Sequence, residues 1–234
     1  VAPSAVAGDL DDIPANAIAL ADAPILLGGL TQYETIDYAG KATEYTRSYL
    51  AAVSHTDAMV GLLLDALASS PHAANTDIVL WSDNGFHLGE KFHWRKLTLW
   101  EQAIRVPLLI SSPGNTNYPV GDITDEVTLL DLAPTVMELA GLPAEPQFEG
   151  APLHDEENRS PAEVFLYDGK ATIEGRKKII DYDVATPGRH HMALYDLRAD
   201  PGEIHRGRPG PLNYIATAAC MRGGSCRERP MRRQ

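Results

Sequence analysis

At 234 residues the chain is long enough for one sizeable domain, or for a main domain with a small appendage, and its 44% hydrophobic content can fill a real core. With 32 acidic against 20 basic residues and a formal net charge of -12, it argues against a nucleic-acid or anionic-membrane surface, while a small anion still fits wherever a local cation holds it. No unbroken apolar run approaches the roughly eighteen residues of a bilayer span, and "VAPSAVAGDL" has neither the basic nor the apolar region of a signal peptide.

Residues 1 to 30, rich in Ala, Pro, Gly and Asp without a sustained period, predict an extended surface segment, and Val1 reads as an internal start cut from a longer chain. From Lys41 to Ser69 the pattern changes: Tyr45, Tyr49, Val53, Val60, Leu63, Leu64 and Leu67 recur at three- and four-residue steps, which predicts an amphipathic helix ended by Pro71. "TDIVLWS" and "IRVPLLIS" then read as two short strands of the kind buried in a parallel sheet, and a helix between them would make a βαβ-type layer. The fold class expected is therefore α/β.

"LLDLAPTVMELAGLP" carries helix punctuation, with Asp131 as N-cap, Pro134 in the first turn, Gly141 just past the end and Pro143 beyond it. After Gly150, "EVFLYD", "RKKIIDYD" and "HHMALYDL" predict three strands of a small antiparallel sheet. The division expected is a main α/β domain over 1–148, an antiparallel subdomain over 149–204 and a tail over 205–234. That tail holds seven arginines and a single acid, a composition that predicts disorder. Cys220 and Cys226 lie in it and match no zinc spacing.

The densest chemistry is "SDNGFHLGEKFHWRK", directly behind the first strand. Asp83-Asn84-Gly85 has two readings. Asn-Gly is the commonest signal for a tight hairpin turn, although "FHLGEKFHWRK" does not return as an alternating strand. Alternatively, a carboxylate and an amide just past the C-terminal end of a strand sit where open α/β sheets place their ligand crevice. They supply two hard oxygens, suited to Ca²⁺ or Mg²⁺ rather than zinc, and Lys96 follows as a point cation for an anionic oxygen. His87, Lys91 and His93 are candidates for lining a substrate pocket, with exposed loop side chains as the other reading. Glu101 and Arg105, four apart, would form a helical ion pair or brace the loop below the site; Trp81, Trp94 and Trp100 would pack around the loop, with one bordering a substrate entrance as the other reading, and His55 would be a packed or solvent-facing histidine of the long helix.

The stretch "TDIVLWSDNGFHLGEKFHWRKLTLWEQAIRVPLLISSPG" resembles the C-terminal signature of the sulfatase family, within the alkaline-phosphatase superfamily. "YLAAVSHTDAMVGLLLDAL", "TLLDLAPTVMELAGL" and "LYDLRADPGE" resemble further family segments in the same order, so the likeness covers about residues 1 to 203. It implies the C-terminal portion of an alkaline-phosphatase-like layered domain and the hydrolysis of sulfate esters, carbohydrate or other. It further implies Asp83 and Asn84 as ligands of a calcium ion (Mg²⁺ or Mn²⁺ as substitutes) and Lys96 as a sulfate contact. The family's nucleophile is a formylglycine made from the Cys or Ser of C-x-P-x-R. These 234 residues hold no such motif; "ATPGR" at 185–189 has its Pro and Arg with Ala in the nucleophile position. The early aspartate pair that completes the metal site is absent too. Half a sulfatase, inactive by itself, is the expectation. A phosphodiester or phosphonate monoester hydrolase of the same superfamily is the alternative, against which Asn84 counts because many of those relatives carry His there; a non-catalytic relative is another.

Overall fold

A computed structural model describes residues 6–21, 31–159, 161–184 and 191–203. The basic tail, both cysteines and "ATPGR" lie outside the described residues. Five helices are seen among those described: α1 (Ala15–Ala21), α2 (Gln32–Tyr38), α3 (Ala42–Ala68), α4 (Glu101–Ile104) and α5 (Leu132–Leu139). The strands are β1 (Ile78–Trp81), β2 (His87–Leu88), β3 (Trp94–Arg95), β4 (Leu108–Ser111), β5 (Ala162–Leu166), β6 (Gly169–Glu174), β7 (Lys177–Asp181) and β8 (Met192–Asp196).

The predicted parallel pair is corrected by the register. β1 and β4 run antiparallel, Ile78 opposite Ser111 and Trp81 opposite Leu108. A parallel return needs a crossover of a dozen or more residues, usually helical, and α4 has only four residues. The connection instead carries the β2–β3 ladder, in which His87 faces Arg95 and Leu88 faces Trp94. Nor is the pair buried: Leu80, Trp81 and Leu109 are exposed among the described residues.

The small antiparallel sheet forms as predicted, with four strands in the order β5-β6-β7-β8 rather than three. The additional strand, "GKATIE", returns from β5 through the two-residue turn Tyr167-Asp168, with Leu166 opposite Gly169. One face of this sheet carries Ala171, Ile180, Ala193 and Tyr195, which pack with Leu99, Trp100, Ile13 and Ala17 into the main buried cluster. Burying each of the larger side chains contributes roughly 1.5–3 kcal/mol. The chain following the Asp-Asn motif is therefore built directly onto the C-terminal sheet. Ile13 and Ala17 also correct the extended-surface reading of the first thirty residues, because "ANAIALA" forms α1 and is pinned in this core.

A second cluster, Ile36, Leu88 and Trp94 with Tyr33, Tyr49 and Phe86 against it, fastens α2 and the first turns of α3 to the motif loop. Beyond those turns α3 is bare in the described structure, with Leu50, Val53, Met59, Leu62, Leu63 and Leu64 exposed. Its bounds agree with the predicted periodicity. By length and composition alone it is apolar enough to cross a membrane, although scattered polar residues interrupt every apolar run within it.

Candidate functional site

β1 delivers the chain to Ser82, whose hydroxyl donates to the Asn84 carbonyl at 2.8 Å and begins the turn. Gly85 then passes against α4. Its N–H donates to the Ala103 carbonyl at 2.7 Å, and a Cβ at this position would lie 2.1 Å from the Gln102 carbonyl oxygen. Only glycine allows that approach, so Asn84 is located by the helix behind it.

Asn84 and Lys96, twelve residues apart, come together. The Asn84 amide nitrogen donates to the Gly85 carbonyl at 2.8 Å, which turns its oxygen outward, and that oxygen accepts from the Lys96 ammonium at 2.9 Å. Asp83 and Lys96 are both exposed beside it. The resulting edge has an exposed carboxylate, an amide oxygen already turned toward positive charge, and a primary ammonium on a flexible stem.

The donor chemistry fits a hard cation in kind and falls short in number. Asp83 and Asn84 give two side-chain oxygens, whereas Ca²⁺ takes about six to eight ligands. No group of three or more His, Cys, Asp or Glu side chains able to hold a metal occurs among the described residues. A cation held here would need oxygens from elsewhere as well.

His87, Lys91 and His93 take different places. His87 is fully buried, its Nε2 2.7 Å from the Thr98 hydroxyl and its Nδ1 3.2 Å from the Glu90 carbonyl. Burial, reinforced by the neighbouring His93, holds its pKa down to about 3, so the ring is neutral near pH 7. Lys91 is also buried, its ammonium 2.5 Å from Asp9 and bonded to the Glu203 carbonyl. Both functional groups are engaged inside the protein rather than presented to an open pocket. His93 is half-buried, 3.0 Å from the Lys96 carbonyl through Nε2, and meets the His87 ring edge-on.

The predicted Glu101–Arg105 pair is replaced. Glu101 turns to the buried ammonium of Lys178 at 3.0 Å, while Arg105 is exposed. Trp94 and Trp100 pack as expected, at 3% and 2% exposure, but Trp81 stands half-exposed.

Sequence reasoning missed the backbone strain. Lys91, Phe92, Arg95 and Leu97 all have positive φ, between 52° and 77°, in a single stretch. Each non-glycine residue in this region costs roughly 1–3 kcal/mol and persists only where its surroundings over-determine it, a condition that clusters at functional sites. No residue type in "KFHWRKL" announces such a conformation.

Acid, amide and ammonium thus stand together on the loop behind a strand of a mixed sheet-and-helix scaffold. The family model described as Sulfatase matches residues 19–142. The chain belongs to the sulfatase family. A sulfatase of Formosa agariphila is 42% identical over 137 residues, 58% of this chain and 26% of that one. The choline-sulfatase of Rhizobium meliloti is 32% identical over 171 residues, 68% of this chain and 32% of its own. Among solved structures, one determined in complex with its substrate D-glucosamine-2-N,6-O-disulfate is 26% identical with a TM-score of 0.65, over 84% of this chain and 42% of that one. The phosphonate monoester hydrolase of Agrobacterium radiobacter shares the fold at 19% identity and a TM-score of 0.56, over 73% of this chain and 40% of its own. The chain thus spans between about a quarter and a third of the length of these curated relatives.

Proposed function

We propose that residues 83–96 form the cation- and sulfate-facing edge of a sulfuric ester hydrolase acting on a sulfated carbohydrate or a similar small sulfate ester. The observation that carries this reading is the 2.9 Å contact between Lys96 and the outward oxygen of Asn84. Asp83 and Asn84 would hold the metal, Ca²⁺ by donor type with Mg²⁺ or Mn²⁺ as substitutes. Bound there, the ion supplies positive charge against the oxygens of the sulfate.

The chain's own residues do the rest. Lys96, exposed on a four-carbon stem, turns from the amide oxygen to a sulfate oxygen and stabilises charge developing on the ester or leaving-group oxygen. α4 and Gly85 keep Asn84 from following it. His87, neutral and bonded to Thr98, holds the loop's interior rather than exchanging a proton with substrate. These 234 residues contain no C-x-P-x-R. The formylglycine that the family uses as nucleophile therefore has no source within them, and we expect no turnover from this chain alone.

The solved relative's disulfated glucosamine supports a carbohydrate substrate. The test is an assay of the complete gene product on paired sulfate and phosphate esters of one leaving group. Preference for the sulfate ester, with Lys96→Ala lowering kcat by about 10²–10³, is the expected result by analogy with losing one preorganised charge-stabilising donor. Preference for the phosphate or phosphonate ester would move the chain to the other reaction class of the superfamily.

A further inference from the structure

Beneath the strained loop lies a set of charges that the proposed reaction does not use. Asp9, Lys91, Lys178 and Glu203 are all buried, at 3%, 2%, 0% and 0% exposure, and Glu101 joins them with its side chain 13% exposed. Charges are rarely taken out of water in such density, and when they are, each must be paired and bonded.

Their arrangement converges on Glu203. Its Oε1 stands 2.7 Å from the Lys178 ammonium as an ion pair without a well-directed hydrogen bond, and the same ammonium lies 3.0 Å from Glu101. Its Oε2 accepts from the Glu101 backbone N–H at 2.7 Å, the first amide of α4, and its carbonyl accepts from the Lys91 ammonium. Glu203 itself has φ 54°, another left-handed residue held by its surroundings. Burial raises the Glu203 carboxyl pKa and Lys178 opposes that, so the neighbouring ammonium is what favours the charged form.

Two connections run from there to the site. Through α4, the Glu203 carboxylate fixes Glu101, and the same short helix presents the Ala103 carbonyl that holds the Gly85 N–H beside Asn84. Through Lys91, the Glu203 carbonyl and Asp9 grip the loop where its backbone is left-handed. α4 has too few residues to hold its own position by helical bonding.

We propose that Glu203 and Lys178 are positioning residues for Asn84, acting through α4, so that the C-terminal sheet sets the geometry of the Asp83–Asn84–Lys96 edge. The importance of that geometry for catalysis rests on the proposed function. The positioning itself does not, and its test reads no hydrolysis.

The experiment is amide hydrogen exchange on the complete gene product, taking the rate at Gly85 relative to the amides of β6 and β7. Glu203→Gln removes the charge facing Lys178, and Glu203→Asp keeps the charge but shortens the reach to Glu101. Both should raise the Gly85 rate relative to the sheet, by about tenfold or more for Gln and less for Asp. Lys178→Met should reproduce the selective rise, and Lys178→Arg, which preserves the cation, should stay within about threefold of the parent. A ratio that does not change overturns the proposal, and so does an opening of Gly85 and the sheet in step, up to complete unfolding. In either case these ions would be structural contacts with no selective hold on the site.

Discussion

Lys96 and Asn84 show what single residues in this chain reveal and conceal. Their types and the family resemblance made them candidates for a cation site and an anion contact, and the structure brings Asn84 and Lys96 together. The conformation that joins them was not legible. It depends on Gly85 meeting the back of α4 and on four left-handed residues, which no composition rule marks. Gly85→Ala should therefore be costly, by about 2–3 kcal/mol from overpacking against the Gln102 carbonyl, as read from the urea midpoint. His87 gives a second expectation at this scale. Its folded pKa, about 3, lies below the value near 6.5 it has when unfolded. The unfolded state then binds the extra proton, so stability falls as pH drops from about 6.5 towards 3, by about 2 kcal/mol at pH 5. Urea melts at several pH values should show this slope in the parent and a shallower one in His87→Gln.

Elements were legible where their periodicity was long. α3 spans Ala42–Ala68 within the predicted 41–69, and Gly141 takes the left-handed position past α5 as its place in "ELAGLP" suggested. Short elements failed, for physical reasons. Seven residues of "ANAIALA" cannot show a polar face, and the two runs read as parallel strands cannot declare their direction without the connection between them. Asp131 takes the N-cap position of α5 as predicted, but its side chain serves another turn. Its side chain makes no cap bond to α5; it accepts from the Thr128 N–H at 2.9 Å and from the Ala151 N–H at 3.1 Å, tying the turn before α5 to the segment after it. With the Asp131 side chain buried, Asp131→Ala leaves those donors without their acceptor and should cost about 2–3 kcal/mol in chemical denaturation. A cost below 0.5 kcal/mol, the range of ordinary surface substitutions, would show that water replaces the carboxylate.

Over the whole molecule, the sequence correctly anticipated an α/β body joined to a small antiparallel sheet, and the family likeness was legible because many fixed positions fall in one window. What it did not convey is how the two parts are joined. Trp100 and Leu99, a few residues past Lys96, pack into the same cluster as Ile180 and Tyr195 of the C-terminal sheet, and the buried charges of Lys178 and Glu203 lie alongside. Such contacts between residues far apart in the chain have no local signature. The proposed role of the Asp83–Asn84 pair in holding the metal is probed by sulfate-ester hydrolysis by the complete gene product against calcium concentration, parent beside Asn84→Ala. The variant should need about 10–100 times more calcium for half-maximal rate, the size of effect expected when a metal site loses a determinant of affinity. A variant with the parent's calcium requirement would contradict it and leave Asn84 as a residue of the turn alone.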